Sequence, residues 1–270
     1  DLHRLRRFAD ISLIDTVGPD RYAIHELLRQ FAAEKLEERG TTAATREAHS
    51  AYYLKALARR EADLRGSTLA QALDESERDF ENSRRAWNWA IDRENETQLD
   101  HALESLYLYC FLRSRFQEGA ELLGKAEGLY ADDSLFKGRV LSRLAFIRAL
   151  FARELQEIIP DAHEGLEIAQ RHDNQPAIAF AHFAIGFCHH FLQDHAAAIP
   201  HYEESLQRFR ELGDRTYTAR VLHRLGDCYA PEIGTARSME MTREALELAL
   251  EIDAFFDACV ALKNLVHKSG

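Results

Sequence analysis

From Ala179 onward the chain repeats one pattern of apolar and polar positions. In AFAHFAIGFCHHFLQDHAAAIPHYEESLQRFR, residues 179–210, apolar side chains recur every three or four positions, break at the polar pair Gln193-Asp194, and resume. That is the period of an amphipathic helix, met twice with a turn between. Gly186, Ala198 and Ser205 supply small residues where two helices have to approach closely, and Tyr202 sits between the last two. The unit recurs about forty residues apart. Gly165-Leu166, Ser205-Leu206 and Ala245-Leu246 align, as do Ile185-Gly186, Leu225-Gly226 and Leu265-Val266. One hairpin leaves an apolar face uncovered, so hairpins at this period must stack. The expectation is an all-α superhelix of helical hairpins, an α-solenoid, over residues 41–270.

The same periodicity predicts helices over 41–62, with Tyr52, Tyr53, Leu54 and Leu57 inward, and over 69–95, with Gly66-Ser67 as the break. Hairpins follow over 99–129, 134–171, 175–212 and 216–252, and a lone helix over 254–267. Pro160 and Pro200 fall in equivalent second helices, which should begin or kink there. Residues 1–40 do not follow the repeat. They read as a helix end, a strand at Ile11–Ile14, a turn at Val17-Gly18-Pro19-Asp20, a strand at Tyr22–Ile24, and a helix from His25 to Glu38. That helix carries Leu27, Leu28, Phe31, Ala32 and Leu36 on one side and stops at Gly40.

The repeat resembles the tetratricopeptide repeat (TPR), a leucine-glycine pair followed by an aromatic and spaced small residues. Helix, strand, turn, strand, helix matches the end of a winged-helix domain. RYAIHELLRQFAAEKL (Arg21 to Leu36), preceded by SLI, resembles the winged-helix end of STAND-class signal-transduction ATPases. HSAYYLKAL (His49 to Leu57) and ENSRRAWNWAI (Glu81 to Ile91) resemble the helices that follow it in bacterial members. The resemblance implies a winged-helix remnant with a β-hairpin over 1–40 and a TPR-like sensor over 41–270. It implies a nucleotide switch upstream, with ATP or ADP and magnesium bound there and no cofactor in this segment. Inducer binding would permit nucleotide exchange and oligomerisation of the full-length protein. Ile24-His25-Glu26 resembles the family's methionine-histidine-aspartate motif, so His25 would contact the ADP phosphate.

Composition narrows the setting. The chain has 270 residues, 46% hydrophobic and 29% charged, with 5 prolines and 13 glycines, enough for a sizeable core and too few turn formers for an all-β fold. A net charge of -11 argues against this segment gripping a phosphate backbone. No apolar run is long enough to span a membrane, and no signal peptide is visible. The chain opens on Asp1 rather than methionine and is expected to be a fragment. Cys110, Cys188, Cys228 and Cys259 lie in helical apolar patterns and are expected as buried thiols of a cytoplasmic protein.

Two chemical motifs compete with the recognition reading. Gly119 to Lys125 has the letters of a phosphate-binding loop, but it lies in a helix without a preceding strand, and Ala126 stands where magnesium needs a hydroxyl. His182, Cys188, His189, His190, His195 and His201 offer zinc-ligand types, but His189 and His190 point about 100° apart on a helix. No zinc-finger spacing is present, so no metal is expected. Trp87 and Trp89 read as core.

The first helix of each hairpin should line a concave face. Registering Ile185-Gly186 sends Phe180, Phe183, Phe187 and His190 inward, with Phe180, Phe183 and Phe187 partly exposed as an anchor for a partner. The equivalent sets are Arg139, Ser142 and Phe146 before it, Arg220, His223 and Asp227 after it, and Val260, Lys263 and His267 at the end. The expected ligand is a protein, peptide or small-molecule inducer, without direct nucleic-acid or membrane contact. The expected role is a non-enzymatic sensor. The alternatives are a free-standing TPR adaptor and a metal-dependent hydrolase using the histidines.

Overall fold

A computed structural model describes residues 2–18, 21–128, 133–152, 154–232 and 235–269. Two units separate between His49 and Ser50. In the first, α1 (Leu2–Asp10), β1 (Ile14–Gly18), β2 (Arg21–Ile24) and α2 (Glu26–Glu38) follow in order. The strands pair antiparallel, with Ile14 opposite Ile24 and Thr16 opposite Tyr22. The first strand starts later than its sequence suggests. Ser12 takes a left-handed φ of 56°, and the N–H groups of Ser12 and Leu13 bond back to Ala9 and Phe8. The end of α1 thus consumes Ile11 to Leu13, and Val17 and Gly18, expected in the turn, complete β1. Pro19 and Asp20 lie outside the described residues. In α2 no side chain is buried, and Gly40, at φ 65°, follows its end.

Helix α3 (Thr42–Arg59) crosses the boundary between the units. Leu54 and Leu57 are buried, but Tyr52 is 67% exposed, because it lies on the opposite side of the helix from Leu54. A 3-10 turn at Asp63–Arg65 leads to α4 (Leu69–Asp92). The hairpins are α5 (Glu96–Leu112) with α6 (Phe116–Glu127), α7 (Leu135–Ala149) with α8 (Ile159–Arg171), α9 (Gln175–Phe191) with α10 (His195–Glu211), and α11 (Arg215–Glu232) with α12 (Thr235–Glu251). Helix α13 (Phe255–Ser269) closes the series. Pro160 sits in the first turn of α8, whereas Pro200 is accommodated inside α10.

One turn recurs through the array. A left-handed residue ends a helix at Glu94, Ser114, Asp173, Gln193, Gly213 and Asp253. In four of these turns the next residue caps the following helix: Asn95, Asn174, Asp194 and Asp214 accept the N–H of Gln98, Ala177, Ala197 and Tyr217. Close packing within hairpins explains the glycine of the repeat. A Cβ on Gly186 would lie 2.8 Å from the Tyr202 ring. Trp87 is fully buried and donates from Nε1 to the Leu122 carbonyl at 2.9 Å. Trp89 is only half-buried, under the guanidinium of Arg93.

Candidate functional site

The inward faces of α5, α7, α9, α11 and α13 bury one another. Phe180, Phe183 and Phe187 share one face of α9, but they are 1%, 2% and 0% exposed. They do not form the partly open anchor expected of them. Phe146 stacks on Phe187 at 4.1 Å between centroids, Phe180 meets Tyr107 and Tyr217 at 5.4 Å each, and Phe111 on α5 reaches Phe256 on α13 at 5.8 Å. Helices far apart in sequence approach closely enough for the rings to cover each other, and that burial outweighs leaving them in water.

Other members of the expected face are also re-placed. Ser142 turns away from it: its hydroxyl bonds the Gly138 carbonyl, and it packs against Gly165 on α8. Arg220 is paired with Asp257 and lies over the rings of Phe111 and Tyr217. His223 is buried and, like Asp227, contacts Asn264. Lys263 is exposed, and the side chain of His267 lies outside those described.

Charge gathers beside the ring cluster. Glu104 on α5 accepts from Arg143 Nε at 2.7 Å, from Arg65 Nη2 at 2.8 Å and from the Tyr217 hydroxyl at 2.6 Å. Arg65 also reaches Asp214 at 3.1 Å, and Arg139 pairs with Asp100. Burial alone would raise the Glu104 carboxyl, but the two guanidiniums and the phenol outweigh it and hold it at about 2. At Glu61 burial prevails over Arg65 and moves the carboxyl upward. All of these groups but Asp100 line a cavity of about 340 Å³ with Asn174, Phe180 and Phe209 among its walls. Three guanidiniums, three carboxylates and three aromatic rings can hold a polar ligand by charge-assisted hydrogen bonds and stacking.

The histidines divide into two groups. His182 Nδ1 lies 3.0 Å from His201 Nδ1, with His163 and His189 rings beside His201. Burial and these three imidazoles push His201 down to about 4. His190 instead turns to α11, with Nδ1 3.2 Å from Cys228 Sγ, and His195 comes beside it. Burial and Arg224 push His190 down to about 4. Cys188 faces the Ala145 carbonyl, and burial raises its thiol to about 12. Cys259 is exposed, not buried as expected.

The phosphate-loop letters lie within α6, where Gly119 N–H bonds the Arg115 carbonyl and Gly119 itself packs on Cys110. His25 is exposed and caps α2, its Nδ1 accepting from the Leu27 N–H at 3.4 Å.

Residues 177–252 match the tetratricopeptide repeat family. They are the two hairpins from α9 to α12. The 43 kDa receptor-associated protein of the synapse from Tetronarce californica is 31% identical over 100 residues, 37% of this chain and 24% of that protein. The crystal structure of a STAND protein with a tetratricopeptide repeat sensor from Pyrococcus horikoshii aligns with a TM-score of 0.53 and 18% identity, over 98% of this chain and 42% of that one. BtubC from P. vanneervenii aligns with a TM-score of 0.47 and 18% identity, over 74% of this chain and 86% of that one. The chain therefore spans about a quarter of the curated relative and less than half of the solved STAND protein. The fold is an all-α, TPR-like superhelix preceded by a β-hairpin. Among the described residues no helix is long and apolar enough to cross a membrane.

Sequence reasoning found the inward register of α9 and Arg139, but not Arg65, Glu104, Arg143 or Tyr217 as a site. Their partners lie 39 to 149 residues apart in sequence, a separation that no local period reveals.

Proposed function

We propose that this chain is the inducer-sensing TPR domain of a STAND-type regulator, controlling a nucleotide-switched oligomerisation through a cytoplasmic, non-enzymatic binding event. The observation that carries the reading is the cavity around Arg65, Arg139 and Tyr217, set in a TPR-like array. The extent of the likeness to a STAND protein with a TPR sensor supports it, as do the residues from Arg21 to Leu36. On this reading residues 1–40 are the end of a winged-helix domain, and ATP or ADP with magnesium binds to a domain upstream. His25 would meet the ADP phosphate there. Its capping contact leaves the proton on Nε2, the atom that would donate to phosphate.

The cavity suits a polar small molecule or a peptide end better than an apolar anchor, because its rings are already packed on one another. A thermal-shift screen of metabolites and peptides tests this: a true inducer raises the melting temperature, and Arg139→Ala weakens it. A binder indifferent to Arg139→Ala and to Tyr217→Phe would remove the cavity from the proposal. In a full-length protein, His25→Ala should raise basal activity; a variant as quiet and inducible as wild type argues against the phosphate role. The segment alone should not bind ATP, and tight binding abolished by Lys125→Ala would reverse that expectation.

A free-standing TPR adaptor is the competing reading, favoured by the match to a receptor-associated protein. A phosphate-binding loop encoded before Asp1 decides for the sensor.

A further inference from the structure

Three potential metal ligands, none of them part of the Glu104 cavity's lining, converge from three helices. His190 stands in the last turn of α9, His195 begins α10, and Cys228 comes from α11. The left-handed turn at Gln193 folds α10 back so that the His190 and His195 rings lie 5.5 Å apart. His190 Nδ1 is 3.2 Å from Cys228 Sγ, and one donor atom from each of the three residues lies within 4.8 Å of the others. Among the described residues this is the one group of three such donors. A second observation points the same way. His195 Nδ1 is buried and has no hydrogen-bond partner, a state that is unfavourable unless something occupies its lone pair or accepts its proton.

We propose that His190, His195 and Cys228 form a binding site for a thiophilic cation of the zinc type. Two imidazoles and a thiolate are the donors that select zinc over magnesium or calcium, which take oxygen. Around tetrahedral zinc, with bonds of about 2.0–2.3 Å, neighbouring donors stand roughly 3.3–3.6 Å apart. The His190–Cys228 pair already has nearly that spacing, and the His195 donor, within 4.8 Å of both, has to move inward to complete the set. Binding forms one Zn–S and two Zn–N bonds and releases the Cys228 thiol proton to solvent. Three protein ligands leave a fourth position for water or an incoming donor. Both imidazoles are half-buried, so the ion enters from their side, while the sulfur lies beneath. Nearby Asp227 offsets the positive Arg224, and its carboxylate is held by Asn264. The ion would tie the α9–α10 hairpin to α11, adding a cross-link between neighbouring repeats, whose shared interfaces set the stability of such arrays.

The test uses the whole chain, stripped with chelator and titrated with Zn²⁺ alone, then with Co²⁺ as a spectroscopic probe. One equivalent should bind, and the cobalt form should show tetrahedral bands with a sulfur-to-cobalt charge-transfer band. Cys228→Ser should remove that band. His190→Gln and His195→Asn should each weaken Zn²⁺ binding by at least about tenfold, the smaller loss known even for outer-sphere partners. His182→Gln and His201→Gln, in the neighbouring histidine group, should leave it unchanged. Absence of saturable binding overturns the proposal. So does a cobalt spectrum lacking the thiolate band, which is read on wild type and stands even if a variant fails to fold. Binding that depends on His201 instead of His195 assigns the ion to the other histidines and equally refutes the site.

Discussion

The Tyr217 hydroxyl donates a 2.6 Å hydrogen bond to Glu104, a residue 113 positions earlier in the chain. Arg143 and Arg65 bind the same carboxylate, so one buried anion joins the 3-10 turn, α5, α7 and α11. The carboxyl is held at about 2, below its unfolded value. A depressed carboxyl contributes stability that is complete above the unfolded pKa and is lost as pH falls through the folded one. Acid should therefore weaken the array from near pH 4.5 downward towards 2, by on the order of 3 kcal/mol from this group. Glu104→Gln leaves Arg143 buried without its counter-charge and should lose about 3–5 kcal/mol at pH 7. Urea melts between pH 7 and 2 check both points: parallel profiles for wild type and Glu104→Gln would contradict the assignment.

A second pH effect should appear earlier in an acid titration. His201 is held near 4 by burial and by His182, His163 and His189 around it. The unfolded chain takes up its proton near pH 6.5, before the folded chain does, so stability falls between 6.5 and 4 and is insensitive to this group above 6.5. His201→Gln should make the melting temperature fall less steeply across that window, leaving the part that His190 contributes. An unchanged slope would mean that other histidines carry the effect.

The glycines of the repeat separate packing from propensity. At Gly186 a new Cβ meets the Tyr202 ring at 2.8 Å, so Gly186→Ala should destabilise by about 1–3 kcal/mol. Gly124, inside α6, has only the Arg148 side chain at 3.7 Å, so Gly124→Ala should stabilise by about 1 kcal/mol through helix propensity alone. Thermal melts with the same sign for both substitutions would remove the close-approach explanation.

How far the sequence speaks depends on the range of the interaction. Helices from α4 to α13 follow from apolar periods, and the structure adds local caps such as Asn174 and Asp194, which act within three residues. At Ser12 and Tyr52 the structure departs from the periodicity for local reasons too, a helix cap and a helix face that the periodicity leaves ambiguous. The ring cluster and the Glu104 network are different in kind. The pattern places Phe180, Phe183 and Phe187 on one inward face, but only the closeness of α5, α7 and α11 decides that the face is filled. The pairing of His190 with Cys228 likewise joins adjacent repeats across 38 residues, and a cluster gathered within one hairpin, with Cys188 in it, does not show that.

Phe183 offers the sharpest test of the filled interior. Its ring stacks with Phe146 at 5.3 Å and meets Tyr202 and Tyr217 at 6.0 Å, and it is 2% exposed. Ile185, two residues on, is fully buried as well. An anchor waiting in an open groove would lose binding but little stability on truncation. A core ring leaves a cavity that its neighbours only partly fill. Phe183→Ala should therefore cost about 3–5 kcal/mol and Ile185→Ala about 2–5 kcal/mol. The two variants should melt at similarly lowered temperatures, and Phe183→Leu, which keeps most of the volume, should recover much of the loss. A Phe183→Ala protein as stable as wild type would show that the inner helices stand apart in solution and that the groove is open after all.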